Sequence, residues 1–143
     1  MKSLIYRQTL HTRFETELID ITPDVLQILA ESGVQTGTLF VLSLHTTTGL
    51  TVNEGLPDLE ADMANTLEKL VPDHAIYRHA RYLPSDGQMA VNAPSHLRGM
   101  LLGFQTFFPI EAGEMLTGSR QTIYFVELDG PQSRNFIVQI LGD

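Results

Sequence analysis

The sequence predicts an α+β domain built on a mostly antiparallel sheet. Three observations predict it. About six strand-like runs and three helix-like runs share the chain. They are unevenly distributed, without the strict strand–helix alternation of a parallel α/β fold. No linker, low-complexity run or internal repeat divides the chain, so its 143 residues form one domain spanning 1–143, long enough for a sizeable core.

From the N-terminus, Ser3–Leu10 and Phe14–Ile19 mix apolar, Thr, Tyr and charged residues and read as two strands of an edge hairpin. Thr22-Pro23-Asp24 opens a helix: Thr22 can cap, Pro23 suits the first helical position and Asp24 complements the dipole. Val25, Leu26, Ile28 and Leu29 form its buried stripe, and Gly33 ends it. Thr38–Leu44 is an apolar run closed by a turn signal, the pattern of a buried strand. A second helix covers Pro57–Leu70, with Leu59, Met63, Leu67 and Leu70 on one face, acidic residues at its start and Pro72 after it.

Asp73–Ala93, with Pro84 and Asp86-Gly87, is the longest irregular stretch, and long ordered loops are often functional. Pro94–Leu102 reads as a short helix ending at Gly103. Phe104–Ile110 is an aromatic strand followed by the turn Glu111-Ala112-Gly113. Gln121–Leu128 and Arg134–Leu141 are two further strands. Alternation puts Ile123, Phe125 and Glu127 on one face of the first, and Arg134, Phe136, Val138 and Ile140 on one face of the second.

Composition excludes several classes of function. A net charge of −8 argues against general binding to nucleic-acid backbones. No apolar run spans a bilayer and no secretory signal opens the chain, so a cytoplasmic location is the default. Cysteine is absent, which excludes thiolate metal sites and cysteine nucleophiles.

Chemistry concentrates in Ser43–Glu54, where a buried strand carries an imidazole, hydroxyls, an amide and a carboxylate to one edge of the sheet. Core packing asks for no such mixture. Of the five histidines, His11 and His74 read as surface or satisfied core residues. His45 differs because it ends a buried strand, and His79 and His96 because they flank the irregular stretch. None lies in a local metal motif, so any metal site must assemble through the fold. Three neutral imidazoles with an open position would suit a divalent metal of the zinc type.

Glu54 could act as a general base or outer-shell carboxylate, or simply sit at the positive end of the following helix. Asn53 could be polar machinery or a turn residue. Asp58 and Asp62 could face a cation, although a solvated acidic helix start is the simpler reading. Glu127, a carboxylate in an apolar strand, requires a partner. Arg134 is the obvious one, paired with Glu127 or binding a phosphate through its planar fork.

The run His45–Met63, HTTTGLTVNEGLPDLEADM, resembles the YjbQ-like family of secondary thiamine-phosphate synthases. So do Tyr77-Arg78-His79, Asn92-Ala93-Pro94-Ser95-His96-Leu97, Leu102-Gly103, then Gly118, Gln121, Glu127 and the Gly130-Pro131 to Arg134 segment. The resemblance implies a compact α+β fold with a β-sandwich-like core, a homotrimer, and His45, His79 and His96 in one pocket. It also implies a weak ability to join a pyrimidine diphosphate to a thiazole phosphate, releasing pyrophosphate. One departure is Gly118-Ser119-Arg120-Gln121, where the family commonly has Gly-Thr-Trp-Gln. Pyrophosphate loss is usually helped by magnesium on oxygens, whereas three imidazoles describe a zinc-type site. Two enzyme readings follow. One is thiamine-phosphate synthesis, with Arg134 or a metal holding leaving-group oxygens. The other is metal-assisted hydrolysis of a phosphorylated metabolite with Glu54 as base. A third reading is a non-catalytic trimer that binds a metal or small anion.

Overall fold

The computed structural model describes residues 1–83 and 88–143, so the expected turn at Pro84 and Asp86-Gly87 lies outside the described residues. The elements are β1 (Lys2–His11), β2 (Glu17–Asp20), α1 (Thr22–Ser32), β3 (Thr36–Ser43), β4 (Thr48–Asn53), α2 (Pro57–Leu70), β5 (Arg81–Leu83), β6 (Gln88–Ala90), α3 (Ala93–Leu102), β7 (Gln105–Glu111), β8 (Glu114–Met115), β9 (Thr122–Glu127) and β10 (Ser133–Gly142). A five-stranded sheet runs β1-β10-β3-β7-β8 and a three-stranded sheet runs β2-β9-β4. The pairings in both are antiparallel. The α+β class with a sandwich-like antiparallel core is therefore the fold observed.

The two sheets share one core because the period-2 pattern aims one row of each inward. Leu39, Val41, Phe108, Phe136, Val138 and Ile140 of the larger sheet meet Leu50, Ile123 and Phe125 of the smaller one. α1 adds Val25, Ile28 and Leu29. Gly33 ends α1 at φ 66°, a left-handed position that glycine takes without strain. The opposite row of β9 (Tyr124, Val126) makes a second cluster with Leu128, against which Met63 and Leu67 of α2 pack. Tyr124 Oη donates to Glu60 at 2.8 Å, which ties α2 to this sheet. Burial first, and then that bond, raise the phenol's pKa.

Several local expectations change. β1 and β2 do not pair with each other: β1 joins β10 and β2 joins β9, because each strand's apolar row completes a different sheet. Thr22 does not cap α1. Its Oγ1 accepts the Ile123 N–H at 2.8 Å, pinning the helix start to β9. β4 is a strand in its own right, and the segment 73–93 contains the paired strands β5 and β6. Leu70 is 66% exposed, so the apolar stripe of α2 stops a turn early. Among the described residues no helix is long and apolar enough to cross a membrane.

Candidate functional site

Glu127 and Arg134 sit at the ends of the inward rows of the two sheets, so they meet between the sheets rather than side by side within one. Glu127 is 0% exposed and Arg134 3%. Arg134 Nε donates to Glu127 Oε2 at 2.7 Å and Nη2 to Oε1 at 2.6 Å. The carboxylate also accepts from Thr12 Oγ1 and from the N–H groups of Leu128 and Asp129. Burial alone would raise its pKa, but Arg134, the Asp129 N–H and Thr12 outweigh burial and hold it below the usual range. Arg134 Nη2 also donates to Thr47 Oγ1 at 2.8 Å. Two of its three guanidinium nitrogens are thus committed to protein partners. This is the geometry of a structural pair, not of an arginine held ready for phosphate.

The pair anchors the loop between β3 and β4. Thr47 is held at its hydroxyl by Arg134, and its carbonyl accepts the Leu128 N–H at 3.2 Å. Ser43 and Thr48 share a 2.6 Å hydroxyl contact at the loop's base. His45 projects from this anchored loop, and its Nε2 accepts the Asn135 N–H at 2.8 Å. An acceptor at Nε2 leaves the ring proton on Nδ1. Burial first, and then the Arg134 charge, lower the His45 pKa, so the ring is held neutral near pH 7.

α3 is fixed just as firmly. Asn92 Nδ2 donates to Asp129 at 2.9 Å and Ser95 Oγ to the Leu128 carbonyl at 2.6 Å. Buried Arg98 donates twice to the Val71 carbonyl beyond α2 and pairs with Asp73 at 2.9 Å. These bonds present His96 beside His79, with ring centroids 5.2 Å apart and planes at 78°. His96 lines two adjoining cavities. The larger, about 650 Å³, also has His45, Leu44, Met100 and Phe104 in its wall. The smaller, about 450 Å³, has Tyr77, Arg78 and His79.

The three histidines are therefore neighbours along one surface, but they do not converge on a point. Among the described residues no trio of His, Cys, Asp or Glu is gathered for a metal ion. The contact of His79 with His96, 5.2 Å between centroids with planes at 78°, is that of an edge-to-face ring pair, and these two are the imidazoles that could share an ion. His45 does not join them in this arrangement, because its Nε2 is occupied by Asn135.

Asn53 and Glu54 lie elsewhere. Thr48 and Asn53 are the two ends of β4, which at about 3.3 Å per residue separates them by about 17 Å. There Asn53 Oδ1 accepts the Glu54 N–H, and Glu54 pairs with Arg120 at 2.8 Å. Arg120 of the Gly118-Ser119-Arg120-Gln121 segment is thus the partner of Glu54. The group that holds the His45 ring is the Asn135 N–H, not Asn53 or Glu54. Asp58 and Asp62 are exposed on α2, as a solvated helix start would be.

Sequence reasoning missed Arg98 and Gly99. A glycine inside a helix signals close backbone approach, and a Cβ at Gly99 would lie 2.8 Å from the Thr48 carbonyl oxygen and 3.2 Å from that of Thr46. Both neighbours are backbone and cannot swing aside. Gly99→Ala should cost about 1–3 kcal/mol in chemical denaturation and should move His96 away from the His45 loop.

A protein-family model described as UPF0047 protein YjbQ-like matches residues 6–143. A UPF0047 protein from Archaeoglobus fulgidus is 40% identical over 133 residues, covering 93% of this chain and 98% of that protein. One from Methanocaldococcus jannaschii is 33% identical over 141 residues, covering 98% and 96%. Among solved structures, a YbjQ-like protein of unknown function from Sulfolobus solfataricus superposes with a TM-score of 0.91 at 30% identity, covering 99% of both chains. An uncharacterised conserved protein of the same family from Clostridium acetobutylicum gives 0.86 at 34% identity, covering 95% of this chain and 99% of that one.

Proposed function

The chain belongs to the YjbQ-like UPF0047 family, and from that premise we propose that it is a small-molecule enzyme acting on a phosphorylated metabolite, with a zinc-type divalent metal held by His79 and His96. The observation that carries this reading is the pair of imidazoles, 5.2 Å apart, at the seam of two cavities. A metal bound there would supply a Lewis acid for a phosphate oxygen. Arg78, in the wall of the smaller cavity, offers the guanidinium fork that Arg134 has already committed. The reaction that fits the family resemblance is thiamine-phosphate formation: a carbon–nitrogen bond forms between the two rings as the bond to diphosphate breaks. Hydrolysis with Glu54 as base is less well supported, since Glu54 lies beyond the far end of β4 and is paired with Arg120.

The test uses protein purified without a histidine tag, incubated with the pyrimidine diphosphate and thiazole phosphate while pyrophosphate is assayed. Turnover that falls with chelation and returns with zinc supports the reading. Turnover that persists after the metal is demonstrably gone overturns it. Bound zinc without turnover on these or other phosphate esters points to a binding protein instead.

We also propose that the chain assembles as a trimer through the outer face of the five-stranded sheet. Phe107 is 63% exposed, and its ring lies 6.1 Å from that of Phe40 on the neighbouring strand. An exposed aromatic patch of this kind marks an association surface. Light scattering at micromolar concentration should give three times the chain mass, and Phe107→Lys should give the mass of one chain. A monomeric mass for the unaltered protein would contradict the assembly.

A further inference from the structure

We propose that His45 is the hydrogen-bond donor that reads substrate in the larger cavity, not a third metal ligand, and that this cavity takes an uncharged ring carrying a hydrogen-bond acceptor. The metal part rests on the reading above; the role of His45 stands on its own geometry. Asn135 donates its N–H to Nε2 at 2.8 Å, so the neutral ring carries its proton on Nδ1. To ligate a metal through Nδ1, the ring would have to move that proton to Nε2, where it would face the Asn135 N–H donor to donor. Ligation through Nε2 would take from the Asn135 N–H its acceptor. The backbone on either side of His45 is anchored: Arg134 and the Leu128 N–H hold Thr47, and the Leu44 N–H donates to the Asn135 carbonyl at 3.3 Å.

The cavity's own chemistry points the same way. Among the described residues in its wall there is no Lys, Arg, Asp or Glu. Leu44, Met100 and Phe104 supply apolar surface, and the hydroxyls of Ser43 and Thr48 are bonded to each other. His45 Nδ1 has no hydrogen-bond partner among the described residues, and no buried side-chain nitrogen or oxygen there is left unpartnered. Nδ1 is therefore reached from outside the protein. A flat uncharged ring gains from the apolar wall, and an acceptor atom on it meets the N–H. The charged end of such a substrate belongs across His96, where Arg78 and His79 line the smaller cavity. Lowering of the His45 pKa by burial and by Arg134 keeps this donor neutral, so it does not demand an anion in the larger cavity.

The experiment is long-range ¹⁵N–¹H NMR on the full-length labelled protein. His45 should show a protonated Nδ1 and an unprotonated Nε2, unchanged as zinc is added, while His79 and His96 shift. Pyrimidine should move the His45 Nδ1 signal and bind about tenfold more tightly than benzene, the scale of one hydrogen bond. His45→Phe should abolish that difference and keep the zinc stoichiometry. A protonated Nε2, a zinc-induced shift of His45, or equal binding of pyrimidine and benzene would overturn the proposal. If zinc shifts no histidine at all, the metal reading fails, and the tautomer and the two ring probes still decide the role of His45.

Discussion

Arg134→Leu should cost about 3–5 kcal/mol of folding stability, because it strands a buried carboxylate. Glu127 is 0% exposed and has Arg134 as its one ion-pair partner among the described residues. Without the guanidinium, the Thr12 hydroxyl and two backbone N–H groups would be left to hold a charge inside the sandwich. Arg134→Lys should recover part of the loss, since one ammonium cannot reproduce the forked contact with Glu127 and the bond to Thr47. The double change Arg134→Leu with Glu127→Leu should be less damaging than Arg134→Leu alone, because it removes the stranded charge together with its partner. Urea denaturation of the three variants checks the order. The pair also makes stability depend on pH. The Glu127 pKa is lowered in the fold from the ordinary carboxyl value of 4.5, so its contribution is present above that value and is lost as pH falls through the folded pKa. If Arg134 were instead a phosphate ligand, Arg134→Lys would weaken phosphate binding and leave the unfolding midpoint in place.

His96→Ala should have the opposite profile. The side chain is half-buried, lines both cavities and makes the 5.2 Å contact with His79. Its loss should change stability by about 1 kcal/mol or less, because α3 is held by Asn92, Ser95 and Arg98 rather than by the imidazole. On the proposed two-histidine site, metal affinity and pyrophosphate release should each fall at least about 100-fold. Metal analysis and the pyrophosphate assay on the same preparations check both numbers. The contrast separates two roles: Arg134 holds the scaffold, and His96 lines the cavities.

Much of this was legible in the residues. The alternation of Ile123, Phe125 and Glu127 against Arg134, Phe136 and Val138 correctly turned acid and base inward, and burial then required them to pair. What alternation could not tell is which sheet each strand joins. That depends on long-range register, and the chain places β9 and β10 in opposite sheets. The same gap misplaced Asn53 and Glu54. They follow the histidine loop closely in sequence, but an extended strand carries them about 17 Å away, whereas His96 arrives from about a third of the chain further on because Gly99 lets α3 touch the loop. The tautomer of His45 was equally hidden, since it is set by a backbone N–H with no side-chain signature. The aromatic run Phe104–Phe108 divided as strands do, with Phe108 in the core and Phe107 outside.

The most direct test of the site is zinc-edge X-ray absorption on untagged protein, with zinc stoichiometry measured on the same sample. A zinc bound with two imidazole ligands per chain and oxygen in the remaining positions, lost in His79→Ala and His96→Ala and kept in His45→Phe, is the predicted result. Zinc with three imidazoles and a site destroyed by His45→Phe, or no zinc retained by the unaltered protein, would contradict it.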